Sequence, residues 1–171
     1  MSGGFEFAGL GGDVDDTIAT ISGAQYFTLP GDVIISLNGE FNHSTEGDHI
    51  FTRHFLGGAN TLRGFDYRDV GPRDPVSGEV LGGNTSYYGT IEASVPVVEK
   101  IRAAAFYDVG EVTDGPVGSI EGGLNSNWGI GVRLFVLGSA PVRLDYAFPI
   151  QTDTFNDDDG GRFQFTMGAT F

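Results

Sequence analysis

Apolar and polar positions alternate with a period of two along most of this chain, and no stretch repeats apolar residues at helical spacing. The C-terminal segment is the clearest case. Phe163, Phe165, Met167, Ala169 and Phe171 fall on one face, and Arg162, Gln164, Thr166 and Thr170 on the other. The same rhythm runs through 142–148, 128–136, 101–109, 91–95 and 33–42, and more weakly through 17–29 and 4–10. The pattern predicts roughly eight strands, each close to the ~9–11 residues with which a tilted strand crosses a bilayer. The connections alternate as well. Those at 29–32, 96–100 and 138–141 are short and built on Pro and Gly, whereas 11–16, 43–84, 111–127 and 151–161 are long. Short turns at one end and long loops at the other are how an up-and-down barrel is built.

Alternation alone leaves open which face is inside. A soluble barrel buries its apolar face, and a membrane barrel turns it outward. Isolated charges at Glu40, Glu92, Arg102, Asp108, Arg133 and Asp145, with many glycines beside them, suit a lumen where charges pair. Aromatic residues near strand ends, among them Phe27, Phe41, Tyr87, Trp128 and Phe148, suit interfacial girdles. Both features favour the outward apolar face. Tyr87, Tyr88 and Trp128 read as girdle residues rather than a ligand cage.

The chain has 171 residues, enough for one domain, and the whole of 1–171 reads as one barrel segment. Its formal net charge is −14, and most of the acidic residues, including Asp13, Asp69, Asp74 and 157–159, lie in the long loops. That balance argues against nucleic acid as a partner. With no Cys, there is no disulfide framework, thiolate zinc site or Cys nucleophile. The N-terminus has neither a basic n-region nor an apolar h-region, so an exported protein of this sequence is expected to be a fragment of a longer chain.

The long connection 43–84 carries Arg53-His54-Phe55-Leu56-Gly57-Gly58-Ala59-Asn60-Thr61-Leu62-Arg63-Gly64-Phe65, followed by Asp69-Val70-Gly71-Pro72-Arg73-Asp74 and Gly82-Gly83-Asn84. Downstream come Phe106-Tyr107-Asp108-Val109-Gly110, Gly129-Ile130-Gly131-Val132-Arg133, Leu144-Asp145-Tyr146-Ala147-Phe148-Pro149 and a C-terminal aromatic, Phe171. In this order the segments resemble the bacterial surface antigen family of outer-membrane assembly barrels, BamA and its relatives. The resemblance implies an all-β fold. It would be an antiparallel transmembrane β-barrel segment of about eight strands, the C-terminal half of a larger family barrel, without the periplasmic POTRA domains. It implies residence in the cell outer membrane. The activity implied is the insertion and folding of β-barrel proteins into that membrane, with this chain an inactive fragment because half of the lateral gate is absent. The implied partners are outer-membrane lipid and lipopolysaccharide, unfolded β-barrel clients and, for the full-length protein, assembly-complex lipoproteins. A half-sheet with two edges also raises self-association of the fragment.

In the family the long loop folds into the lumen, and its Arg meets acidic groups of the wall. The resemblance therefore implies a lumen-loop motif of Leu62, Arg63, Gly64 and Phe65. Strand phase supplies the partners, since Glu92 and Asp108 fall on the polar face of neighbouring strands and suit charge-assisted pairing with a guanidinium. Gly57, Gly58 and Gly64 are expected to give the loop a tight path and positive φ. The final strand, 162–171, looks like the β-signal by which the assembly machinery recognises clients, on Phe163, Phe165, Met167 and Phe171.

Other chemistry is set aside. His43, His49 and His54 lie near Glu46 and Asp48, but the spacing fits no zinc pattern. The run at 157–161 lacks the ligand spacing of an EF-hand. Glu92 and Asp108 are paired carboxylates of the glycosidase kind, yet Arg63 is the more natural partner. No catalytic residue, metal or cofactor is expected, and the chain is not read as an enzyme. The alternative functions are a TamA-like or two-partner secretion translocation barrel and, more distantly, a soluble ligand-binding β-barrel.

Overall fold

A computed structural model describes residues 2–8, 16–45, 50–115, 123–137, 140–152 and 160–168. They form eight strands in one antiparallel sheet whose order follows the chain: β1 (Ser2–Ala8), β2 (Asp16–Leu29), β3 (Val33–Ser44), β4 (Thr85–Val98), β5 (Ile101–Thr113), β6 (Asn125–Leu137), β7 (Ala140–Gln151) and β8 (Arg162–Met167). The meander is open. β1 and β8 are its two edges, and each pairs on one side only among the described residues.

The sheet is inside out by the standard of a soluble protein. The apolar phase of β4 to β8 is exposed, with Ile91, Tyr107, Trp128, Ile130, Tyr146, Phe163 and Met167 on it. The opposite, concave phase buries Ser94, Asp108, Asn127, Arg133 and Asp145. Among the described residues, buried polar side chains outnumber buried apolar ones. In water this arrangement exposes apolar area at ~25 cal/mol per Å2 while desolvating charge. In lipid the same faces are correctly placed, because only the charged face needs pairing. β2 to β7 have 12 to 14 residues each, enough to cross a bilayer with tilt. Trp128 stacks on Phe148 at 5.2 Å and Tyr146 meets Phe148 edge-on at 4.9 Å, an aromatic cluster on the outer face.

Several boundaries shift from the sequence expectation. β3 continues through Ser44, and β5 and β6 reach Thr113 and Asn125, so two of the long connections are shorter than the alternation suggested. Backbone pairing continues there because hydrogen bonds do not depend on the hydrophobic rhythm. β2 is a full 14-residue strand, although Gln25 and the adjacent Tyr26-Phe27 blur its alternation. β8 is described only to Met167, with Gly168 bending away at φ 134°. Tyr88 is not a girdle residue. It shares the concave phase with Thr90 and Glu92 and packs on the buried cluster of the long loop. The turn between β2 and β3 places Gly31 and Asp32 at φ 82° and 58°, and Arg102 fastens it by donating to the Asp32 carboxylate at 2.9 Å and carbonyl at 2.6 Å.

Candidate functional site

The loop between β3 and β4 folds back over the concave face. Short antiparallel bridges join His54 to Gly83, Leu56 to Val70 and Arg73 to Val80, so its two arms satisfy each other's backbone. Between them Leu56, Leu62, Phe65 and Val70 bury against Val112 of β5, and Tyr88 closes the cluster. Gly57 and Gly58 have left-handed φ of 108° and 96°, and the chain turns there. Gly64 does not. Its reason for being glycine is space, because a Cβ there would lie 2.6 Å from Asn127 Cβ and 3.3 Å from the Pro149 nitrogen.

This close approach lowers Arg63 into the sheet. Its Nε donates to Asp108 Oδ2 at 2.9 Å, and its Nη2 to Asp108 Oδ1 at 2.7 Å and Thr90 Oγ1 at 3.0 Å. Its Nη1 donates to Glu92 Oε2 at 2.9 Å and Asp145 Oδ2 at 3.4 Å. All five N–H groups of the guanidinium thus have an acceptor, and the fork on Asp108 is bidentate. The cation also lies 3.3 Å from the centre of the Phe106 ring. Burial works against the charged form of Arg63, but the hydrogen bond and charge of Asp108, then those of Glu92, outweigh it and hold the guanidinium above its ordinary range. Asp108 is fully buried and also accepts from the Asn127 amide at 2.9 Å and from the Thr90 hydroxyl. Arg133 completes the network, donating to both Glu92 oxygens at 3.0 and 2.6 Å and to Asp145.

Register explains why these groups meet. Thr90, Asp108 and Asn127 are direct cross-strand partners, as are Glu92, Phe106, Gly129, Ala147 and Arg162 in the next row. Small residues floor that row. A Cβ at Gly129 would strike the Phe106 ring, so glycine lets the ring lie flat beneath the guanidinium.

Of the residues singled out in the sequence, Leu62, Arg63, Gly64, Phe65, Glu92 and Asp108 come together here. Sequence reasoning did not attach Asp145, Thr90, Phe106, Asn127 and Arg133 to Arg63. Their phase was visible, but the height at which the loop docks was not. Phe163, Phe165 and Met167 lie elsewhere, on the exposed outer face of β8, and Phe171 lies outside the described residues. The histidines make neutral contacts, His43 with Thr85 at 2.9 Å and His54 with Ser44 at 2.8 Å. His49, Glu46, Asp48 and 157–159 also lie outside the described residues.

Comparison with known proteins follows the same lines. The family described as the Omp85 superfamily domain matches residues 1–171. The outer membrane protein assembly factor BamA of Neorickettsia risticii is 35% identical over 119 residues, covering 64% of this chain and 16% of the relative. BamA of Nitratidesulfovibrio vulgaris is 28% identical over 177 residues, covering 97% of this chain and 22% of the relative. This chain therefore spans about a fifth of the length of these curated relatives. The crystal structure of Haemophilus ducreyi BamA lacking POTRA domains 1–3 superposes with a TM-score of 0.77 at 20% identity, covering 96% of this chain and 37% of the other, and so shares the fold. The relatives are assembly factors by name. Matched over its whole length, the chain belongs to the Omp85 superfamily, and its place is the outer membrane.

Proposed function

We propose that residues 1–171 are the C-terminal barrel segment of an outer-membrane protein assembly factor, in which β1 to β8 continue a sheet begun upstream. The closed barrel inserts and folds β-barrel clients, and the segment alone is inactive. The observation that carries this reading is the saturated Arg63 guanidinium on Asp108, Glu92 and Asp145, seated on the charged face of a sheet whose apolar face is outward. A pore needs a clear lumen. Here the 50–84 loop covers part of the concave face and braces β4 to β7, which suits a wall that keeps its shape while an edge exchanges hydrogen bonds. Leu62, Arg63, Gly64 and Phe65 act as the brace, and Glu92 and Asp108 as its seat.

The outer face and the acidic rim meet lipid and lipopolysaccharide. The terminal strand, with Phe163, Phe165, Met167 and Phe171, serves as a β-signal that adds to a sheet edge through backbone hydrogen bonds. Lipoprotein partners belong to the full-length protein. The test is insertion of an unfolded β-barrel client into liposomes by the full-length protein. Arg63→Ala is expected to cut the rate at least tenfold, and the isolated chain to insert nothing. Full activity of an Arg63→Ala protein whose barrel remains folded would overturn the reading.

A further inference from the structure

The loop tip touches more than the wall that seats Arg63. Gln164 of β8 donates from Nε2 to the Arg63 carbonyl at 3.2 Å and the Phe65 carbonyl at 3.3 Å, straddling Gly64. Two residues earlier on the same face, Arg162 pairs with Asp66 at 2.9 Å. β8 has six residues and, among the described residues, a ladder to β7 alone, from Val142–Met167 to Ala147–Arg162. Its outward side chains, Phe163, Phe165 and Met167, are 57–67% exposed and pack on little. Beyond six backbone pairs, the terminal strand is therefore held by the loop.

We infer that the loop tip is a latch on the terminal strand, with Gln164 and Arg162 as the positioning residues that hold β8 on the sheet. The two sides of the tip differ in strength. Toward β4 to β7 it is fixed by buried, bidentate, charge-assisted bonds. Toward β8 it has two long neutral hydrogen bonds and one pair whose Asp66 side is mostly exposed, the weak kind of ion pair. Under strain the β8 side lets go first, and Arg63 stays seated. β8 is then released from β7 without unfolding the wall, which is local opening in the sense measured by hydrogen exchange.

Hydrogen exchange on the full chain in lipid nanodiscs tests this with no client present, so its failure is distinct from failure of the insertion reading. Gln164→Ala is expected to speed exchange at 162–167 about tenfold, the scale of two modest hydrogen bonds. Arg162→Asp and Asp66→Arg are each expected to speed it about two- to fivefold, the scale of an exposed pair. Combining the two charge reversals should restore protection. Exchange at 104–108 should stay unchanged throughout. Unchanged exchange at 162–167 in all three single variants would overturn the latch. So would a rise at 104–108 in parallel with 162–167, because the strand would then not open independently. The charge reversals lie at partly exposed positions, so they report even if Gln164→Ala prevents folding.

Discussion

The concave faces of β2–β3 and of β4–β8 are built on the same alternation, yet among the described residues only one of them is roofed. Over β4–β8 the loop buries Leu62, Arg63 and Phe65 and reaches every strand from Thr90 to Gln164. Beside it, Ser22, Ser36, Asn38 and Glu40 line one side of a concavity of about 660 Å3 whose other side is the flank of the loop, at Asn60, Thr61 and Arg63. Both faces are polar, so hydrophobicity does not choose between them. The choice is electrostatic. Asp108, Glu92 and Asp145 converge within reach of one guanidinium, whereas on β3 the carboxylate of Glu40 takes the Asn42 amide at 2.9 Å. A loop goes where its buried charge is neutralised, since an unpaired charge away from water is the costliest thing it could carry.

Removing Arg63 should break the comparison most severely. Arg63→Ala leaves Asp108 buried without its cation, a loss of about 3–5 kcal/mol for a buried pair cut on one side. Urea unfolding of the chain in detergent micelles should show it as an earlier midpoint. Arg63→Lys should recover little, because an ammonium cannot fork on Asp108 and reach Glu92 and Thr90 together. Asn38→Ala, on the uncovered face, should stay within about 0.5 kcal/mol of the parent. Equal losses at Asn38 and Arg63 would mean that the two faces are one environment.

The next effect sharpens the comparison by distance alone. Gly64→Ala keeps every charge but pushes a methyl into Asn127 and the Pro149 backbone. Overpacking of this kind costs about 1–3 kcal/mol. It should lift the tip, so that exchange quickens at 62–66 while the β2–β3 ladder is unaffected. If Gly64→Ala matches the parent, the seat is looser than 2.6 Å of approach allows.

These residues also mark what was legible in the sequence. The strands were, because period-two alternation is dictated by the pleat itself and survives whichever face meets lipid. Glu92 and Asp108 were legible as partners for Arg63 because phase puts them on one face of adjacent strands. Asp145 and Gln164 were not, since they reach Arg63 across 82 and 101 residues and only pairing register fixes their height. Phe106 was hidden for another reason. It breaks the polar phase of β5, and its role is visible only once Gly129 is seen to leave room for its ring. Tyr88 was misassigned because an aromatic near a strand end looks the same whether it faces lipid or a loop core.

The smallest effect lies within the loop and opposes its seated tip to its exposed turn. At the turn, Asp74 Oδ1 accepts from the Ser77 amide at 2.7 Å and the Val76 amide at 2.8 Å. The Ser77 hydrogen bond first, and the Val76 one next, hold the Asp74 carboxyl below its ordinary value. A carboxyl lowered in the folded state contributes order that is complete above its unfolded value and is lost as pH falls through the folded one. Acidification below the usual aspartate range should therefore loosen 74–78 first. Arg63 carries the opposite sign and stays charged at any pH used, so its own titration loosens nothing in that window. Amide shifts of Val76 and Ser77, followed by NMR in micelles, should move in that acid window, and Asp74→Asn should abolish the transition while an amide oxygen still accepts both bonds. A transition that persists in Asp74→Asn would mean that Asp74 does not set the acid sensitivity of the turn, and the contrast between turn and tip would then fail.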